Sequence, residues 1–155
     1  TGASLALLTV LPAAPVSLLL IGFAASFAAK LADTCGSEIG KRWGRHTLLI
    51  TSLRPVPPGT EGAISLEGTA ASLVGSALMA SLMGLLGLVP TAIGWVLVTL
   101  VGLLATLIES VIGATCQHRF SWLTNELVNG LQTMIAALIA MACFLLLGLP
   151  APVVA

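Results

Sequence analysis

The chain has 155 residues, of which 57% are hydrophobic and only 8% charged, and its six basic and six acidic side chains balance to a formal net charge of zero. A soluble domain carries roughly 25% charged residues, so at a mean hydropathy of +1.09 this chain lacks the polar side chains to cover a surface in water. The same arithmetic excludes a disordered tail and a basic nucleic-acid binder, both of which need far more charge, and it points to a membrane protein.

The chain opens at Thr1 directly in an apolar run. No charged segment precedes that run, so it does not read as a secretory signal. Residues 4–11 look like the end of an earlier helix, and the chain is expected to be the C-terminal part of a longer protein. Four further apolar runs each approach the ~20 residues that span a bilayer as a helix. The first covers 16–31, after Pro12 and Pro15, and is short unless Lys30 snorkels. The second covers 69–89 and the third 92–108, with Pro90 marking a tight apolar turn between them. The fourth covers 131–149 and is closed by Pro150 and Pro152. In lipid only helices or closed barrels satisfy every backbone polar group, and these runs are too long and too unalternating for barrel strands. The expected fold class is all-α: a polytopic transmembrane helix bundle of four full spans plus the end of a fifth at the N-terminus, one membrane domain over 1–155.

Small residues recur at helical spacing within the runs. Gly68, Ser72, Ser76, Ala80 and Gly84 follow every fourth position, as do Gly22, Ser26 and Lys30, which predicts close helix packing. Cys35, Cys116 and Cys143 lie far apart without a CxxC pair and read as small buried hydrophobes. All twelve charged residues fall in two windows, nine in 30–67 and three in 109–126. Because the second and third spans form a hairpin, the polar windows 30–67 and 109–130 emerge on the same side. Lys41, Arg42, Arg45, Arg54 and Arg119 lie there, while the turns at 11–15 and 88–91 carry no charge. The positive-inside rule makes the charged side cytoplasmic or its organellar equivalent. His46 and His118 read as interfacial histidines, and Trp43, Trp95 and Trp122 as belt residues at the two membrane surfaces.

Four polar motifs occupy these windows. In the first, Lys30, Asp33, Thr34, Ser37 and Lys41 share one face of a continuing helix, with Glu38 one residue off it. A carboxylate beside hydroxyls at a helix end can hold a magnesium ion; the plainer reading is a snorkelling Lys30 paired with Asp33. The second runs Arg54-Pro-Val-Pro-Pro-Gly59-Thr60-Glu61-Gly62-Ala-Ile-Ser65 and on to Glu67-Gly68-Thr69. Its prolines favour an extended chain, its glycines allow close backbone approach, and Thr60 and Ser65 hydroxyls suit phosphate oxygens with Arg54 as counter-charge. It lacks the ending of a Walker P-loop, and an interfacial turn accounts for it equally well. In the third, Glu109 and Ser110 end a long apolar run and are followed by Gly113, Thr115 and Gln117; an ionised Glu109 there needs a cation nearby. In the fourth, Asn125, Asn129 and Gln132 share a helix face, suited either to interhelical hydrogen bonds or to orienting a substrate.

Together the motifs resemble a family of multi-pass membrane proteins that includes the plant phytyl-phosphate kinase of tocopherol synthesis. The matching parts are Ala32-Asp33-Thr34, Ser37-Glu38-Ile39-Gly40, Val56-Pro57-Pro58-Gly59-Thr60-Glu61-Gly62, Ser65, Gly68-Thr69, Ser110, Gly113-Ala114-Thr115, Gln117 and Asn129, in the family's order over 29–132. Glu109 departs from the pattern, since the family is expected to favour Asp before this Ser. The resemblance implies transfer of the terminal phosphoryl group of a nucleoside triphosphate, CTP before others, to an isoprenoid monophosphate such as phytyl phosphate. It implies Asp33, Glu38, Arg54 and Glu61 as catalytic residues, and Asp33, Glu38 and Glu109 as ligands of Mg2+. Substrate and nucleotide would be held by Thr34, Ser37, Lys41, Gly59, Thr60, Gly62, Ser65, Ser110, Gln117, Asn125 and Asn129. The partners are then a prenyl phosphate lipid, the nucleotide and membrane lipid, with a homo-oligomer left open, in a cyanobacterial or chloroplast membrane. The rival reading is a transporter or carrier with a charged site on the cytoplasmic face. Transporters place such groups near the bilayer midplane, often within inverted repeats, whereas here the charges cluster on one face and no internal repeat is found.

Overall fold

The computed structural model describes residues 16–117, 119, 120 and 122–149. The expected remnant of a fifth span at 4–11, His118, and the closing Pro150 and Pro152 lie outside the described residues. The four apolar runs become four helices: α1 (Val16–Trp43), α2 (Leu66–Leu85), α3 (Ala92–Ile112) and α4 (Asn125–Leu146). Each is long and apolar enough to cross a membrane. α1 continues well past 31, and α4 begins before 131, because hydropathy marks only the lipid-embedded part of a helix while the backbone ladder runs on into polar sequence. The starts of α2, α3 and α4 are set by Ser65, Thr91 and Thr124. Each holds an extended backbone, and its hydroxyl accepts the N–H of Gly68 (3.1 Å), Gly94 (3.0 Å) or Leu127 (3.4 Å), satisfying a donor the first turn leaves unpaired. α3 ends in a π-helical turn, Gly113–Gln117, a widening of the ladder that is frequent at functional sites.

α1 is the hub and packs against the other three helices, whereas α2 and α4 flank it and hardly touch. Its buried alanines divide between two cores. Ala24 and Ala28 join Ala80, Met83, Val89 and Val98, while Ala25 and Ala29 join Val101, Ala105, Ala136 and Ala140. Gly68, Ser72, Ser76 and Ala80 are all buried along α2, as their spacing predicts. A methyl at Gly68 would stand 2.8 Å from the Gly36 carbonyl and 3.2 Å from Gly40 Cα, so α1 and α2 meet backbone to backbone. The second row works on α4: Ser26 Oγ donates to the Thr133 carbonyl at 3.0 Å and Lys30 Nζ to Asn129 Oδ1 at 2.9 Å. Leucines and valines such as Leu78, Leu82, Val96, Leu100 and Leu138 cover the outside, as lipid contact requires.

The 44–65 connection departs from the expected extended stretch. It folds into a two-residue antiparallel ladder, β1 (Leu48–Leu49) on β2 (Ala63–Ile64), with Leu48 also bridging Pro55. The proline-rich part therefore becomes a hairpin tip, and Gly62 returns the chain against α3. At the far end of the bundle the Leu88 and Val89 amides donate to the Met83 carbonyl, at 2.9 and 3.3 Å, and Val89 is buried, so the apolar turn plugs the bundle.

Candidate active site

Both polar windows converge on one cleft of about 180 Å³ at the charged end of the bundle. α1 contributes Asp33, Gly36, Ser37, Gly40 and Lys41; the hairpin connection contributes Thr47 and residues 58–65; α2 contributes Gly68, Thr69 and Ser72. α3 supplies Thr106, Leu107, Glu109 and Ser110, and α4 supplies Asn125 and Asn129. Sequence reasoning thus placed Asp33, Ser37, Lys41, Gly59, Thr60, Glu61, Gly62, Ser65, Glu109, Ser110, Asn125 and Asn129 in a common site, and the fold brings these twelve together.

Glu38, Arg54, Thr34 and Gln117 do not line it. One residue along a helix is a rotation of about 100°, which turns Glu38 to the outside. Its side chain is 71% exposed and pairs loosely with Lys41 at 3.7 Å. Arg54 is exposed beside the tip of the hairpin, with its carbonyl taken by the Leu49 amide at 2.9 Å. The Thr34 hydroxyl folds back onto the Lys30 carbonyl at 3.0 Å. Gln117, on the π-helical turn, instead donates to Asn125 Oδ1 at 3.3 Å and so braces a residue that does line the cleft. Of the implied carboxylates Asp33, Glu38 and Glu109, the first and last line the cleft together with Glu61, and Glu38 does not.

The hydroxyls have a common orientation with a chemical consequence. Ser37 donates to the Thr34 carbonyl (3.2 Å), Ser110 to the Thr106 carbonyl (3.2 Å) and Thr60 to the Pro57 carbonyl (2.7 Å). With their protons committed to backbone, these three offer the cleft lone pairs. Asn125 and Asn129 accept through Oδ1, from Gln117 and Lys30, which leaves their amide N–H groups as donors. Three carboxylates and several hydroxyl oxygens face Lys41 as the one ammonium lining the cleft. The wall is rich in acceptors and short of positive charge. Such a wall attracts a cation and resists a bare phosphate.

Gly62 locks the hairpin connection over the cleft. It adopts φ +75°, and a Cβ there would lie 2.5 Å from the Ser110 carbonyl oxygen and 2.8 Å from the Ala114 amide nitrogen, so only glycine lets the turn lie flat on α3. This contact holds the turn that carries Thr60 and Glu61 at the cleft that Glu109 also lines.

The family model for the integral membrane protein DUF92 matches residues 1–137, a stretch that contains every residue lining the cleft. The chain belongs to this family. An uncharacterized membrane protein of Synechocystis sp. is 50% identical over 122 residues, covering 79% of this chain and 47% of the relative. The chloroplastic protein VTE6 of Arabidopsis thaliana is 43% identical over 122 residues, covering 77% of this chain and 36% of the relative. An uncharacterized membrane protein of Methanocaldococcus jannaschii is 33% identical over 129 residues, covering 81% and 51%. The chain spans about half or less of the length of each of these relatives. No solved structure matches it.

In this DUF92 chain the donor set suits a hard cation such as magnesium: carboxylate and hydroxyl oxygens, with no thiol or imidazole among the described residues lining the cleft. No three Asp, Glu, His or Cys side chains among the described residues close into a cage. A magnesium ion would complete its shell with phosphate oxygens and water, as it does at other phosphate sites. Several lining residues are not among the expected site residues. Gly36 and Gly40 carry a signal, since they are a small pair at i, i+4 on the helix that bears Asp33. Thr106, one turn before Ser110, carries another. Thr47 carries none, yet it lines the cleft and its buried hydroxyl has no partner among the described residues, which leaves it for a ligand or water.

Proposed function

We propose that this chain carries the active site of a membrane-embedded kinase. It would transfer the terminal phosphoryl group of a nucleoside triphosphate, CTP before others, to a prenyl monophosphate such as phytyl phosphate. The observation that carries the proposal is the acceptor-rich cleft at one end of an otherwise apolar bundle. A prenyl phosphate keeps its tail in hydrocarbon while its head meets a nucleotide from water, and a cleft at that boundary serves both. Kinship with chloroplastic VTE6, and with the family whose motifs resemble the plant phytyl-phosphate kinase, supports the same chemistry. A transporter would hold its charges near the midplane, whereas these gather at one end.

The reaction needs little covalent help. An oxygen of the acceptor phosphate attacks the terminal phosphorus, the bond to the bridging oxygen breaks, and its electron pair leaves with the nucleoside diphosphate. The acceptor is already ionised, so no strong general base is required. One or two carboxylates from among Asp33, Glu61 and Glu109 would hold Mg2+, which supplies charge neutralisation at the phosphates when bound. Lys41 adds a mobile positive charge at the mouth of the cleft, and the Asn125 and Asn129 amides donate to phosphate or nucleotide oxygens. Residues 58–62 roof the site, where backbone N–H groups can face an oxyanion. By the positive-inside rule the active face would be cytoplasmic or stromal.

The test is phosphotransfer by the purified full-length protein, wild type beside Asp33→Asn, given phytyl phosphate and magnesium with CTP, ATP, GTP or UTP in turn. Prenyl diphosphate from wild type alone is the expected result. No product with any nucleotide from folded protein overturns the kinase.

A further inference from the structure

α1 is covered by its neighbours almost everywhere. Ala24, Ala25, Ala28, Ala29 and Ala32 have no exposed surface, and Gly22 and Ser26 lie against α4 while Cys35 lies against Gly75 of α2. One stripe escapes. Phe27, Lys30 and Thr34 are exposed at i, i+3 and i+7, on the side of α1 left open between α2 and α4. The order along this stripe is chemically directed. Phe23 and Phe27 form a ring pair with centroids 4.8 Å apart, the ammonium of Lys30 follows one turn on, and exposed Thr34 and Glu38 then lead to Lys41 at the lip of the cleft.

Lys30 lies inside a membrane-spanning helix, and its ammonium leans one turn toward the charged end, the snorkelling pair with Asp33 that the plainer reading expects. Its Nζ donates to Asp33 Oδ2 at 3.1 Å and Asn129 Oδ1 at 2.9 Å, both on residues that line the cleft, and its side chain is still 47% exposed. An ammonium has three donors, so one remains. A half-exposed cation at this depth is a functional group by default.

We infer that an amphiphile with a phosphate head docks sideways on this stripe, its hydrocarbon tail over Phe27 and Phe23 and its phosphate on Lys30. The stripe is the lipid substrate's way into the cleft. The identity of that lipid as the phosphoryl acceptor rests on the kinase reading above; the docking itself does not. An aromatic track alone would suit any lipid. The ammonium at its end, already paired with Asp33, favours an anionic head through its remaining donor, and a prenyl alcohol gains only the weaker bond to an uncharged acceptor. From Lys30 a phosphate is one side chain away from Asp33 and Asn129, so it reaches the cleft without its tail leaving hydrocarbon.

The test uses full-length protein in lipid nanodiscs and a prenyl monophosphate carrying a diazirine on its tail, with labelled residues mapped by mass spectrometry. Label is expected on the Phe23–Phe27 face, displaced by unmodified prenyl phosphate and not by the prenyl alcohol. Lys30→Gln should weaken labelling about tenfold or more, the loss expected for a charge-assisted hydrogen bond, with Lys30→Arg retaining most of it. Phe27→Ala, which breaks no hydrogen bond, should also lower labelling and guards against a Lys30 variant that does not fold. In turnover, Lys30→Gln should raise KM for the lipid by a similar factor and leave KM for the nucleotide in place. Labelling elsewhere, as when a segment preceding Val16 covers the stripe, overturns the inference; so does equal displacement by the alcohol, or an unchanged lipid KM in Lys30→Gln. Specific labelling without turnover for any nucleotide sinks the kinase and keeps the docking site, while turnover with an unchanged lipid KM does the reverse.

Discussion

Gly59 and Gly62 make a matched pair in the same turn. Both adopt left-handed backbone, φ +86° and +75°. Alanine at either position carries the same conformational penalty, about 1–2 kcal/mol. They differ in what the new methyl meets. At Gly59 nothing lies within 4 Å, while at Gly62 the Ser110 carbonyl and the Ala114 backbone stand at 2.5 and 2.8 Å. Those atoms belong to a helix and cannot rotate away, so Gly62→Ala adds an overpacking term of about 1–3 kcal/mol. The turn relieves it by lifting off α3, which carries Thr60 and Glu61 out of the cleft. Gly59→Ala should therefore lower stability by about 1–2 kcal/mol and keep the roof in place, whereas Gly62→Ala should reach about 2–5 kcal/mol. Phosphotransfer should fall much further in Gly62→Ala than in Gly59→Ala. Unfolding in detergent reads the first quantity, limited proteolysis of the 44–65 connection reads the lifting, and turnover reads the third. Equal damage from the two substitutions would refute the docking of this turn on α3 as what organises the site.

The two acidic residues of the first motif should separate cleanly: Asp33→Asn is expected to lose more than about a hundredfold in turnover, while Glu38→Gln, outside the cleft, stays within about threefold because a loose exposed ion pair contributes little. Equal losses would return Glu38 to the site. Chelation with EDTA should abolish turnover and magnesium should restore it; full activity in EDTA would remove the metal from the proposal. Gln132 is buried, donating to the Ala29 carbonyl (3.3 Å) and Thr106 Oγ1 (3.1 Å), while its Oε1 has no protein partner. Leucine there loses two hydrogen bonds but also an unpaired oxygen, so Gln132→Leu should change stability by about 1 kcal/mol or less. Gln132→Ala leaves a void at the junction of three helices and should lose about 2–4 kcal/mol in the same unfolding assay.

What the sequence determined by itself follows from the bilayer. The thickness of hydrocarbon sets a run length, so four spans could be drawn from composition alone. The hairpin between the second and third spans then brings both polar windows to one end, where the cleft is found. The rows from Gly68 to Ala80 and from Gly22 to Lys30 announced their contacts because close helix approach admits little but small side chains. Tertiary structure alone decided which polar residues face one another. A helical wheel shows that Lys30, Thr34 and Lys41 share a face, but not which neighbours stand on either side. Thr34 therefore turns out to lie on the open stripe, while Asp33 and Lys41 line the cleft. Glu61 joined Asp33 and Glu109 through a hairpin pairing, Leu48 with Ile64, that two-residue strands are too short to announce. Lys30 met Asn129 across 99 positions of chain. Hydropathy and periodicity are properties of one helix in a uniform solvent, whereas a site is a property of several helix ends and the loop above them. That arrangement is set by packing between elements, and packing is not written in any single run.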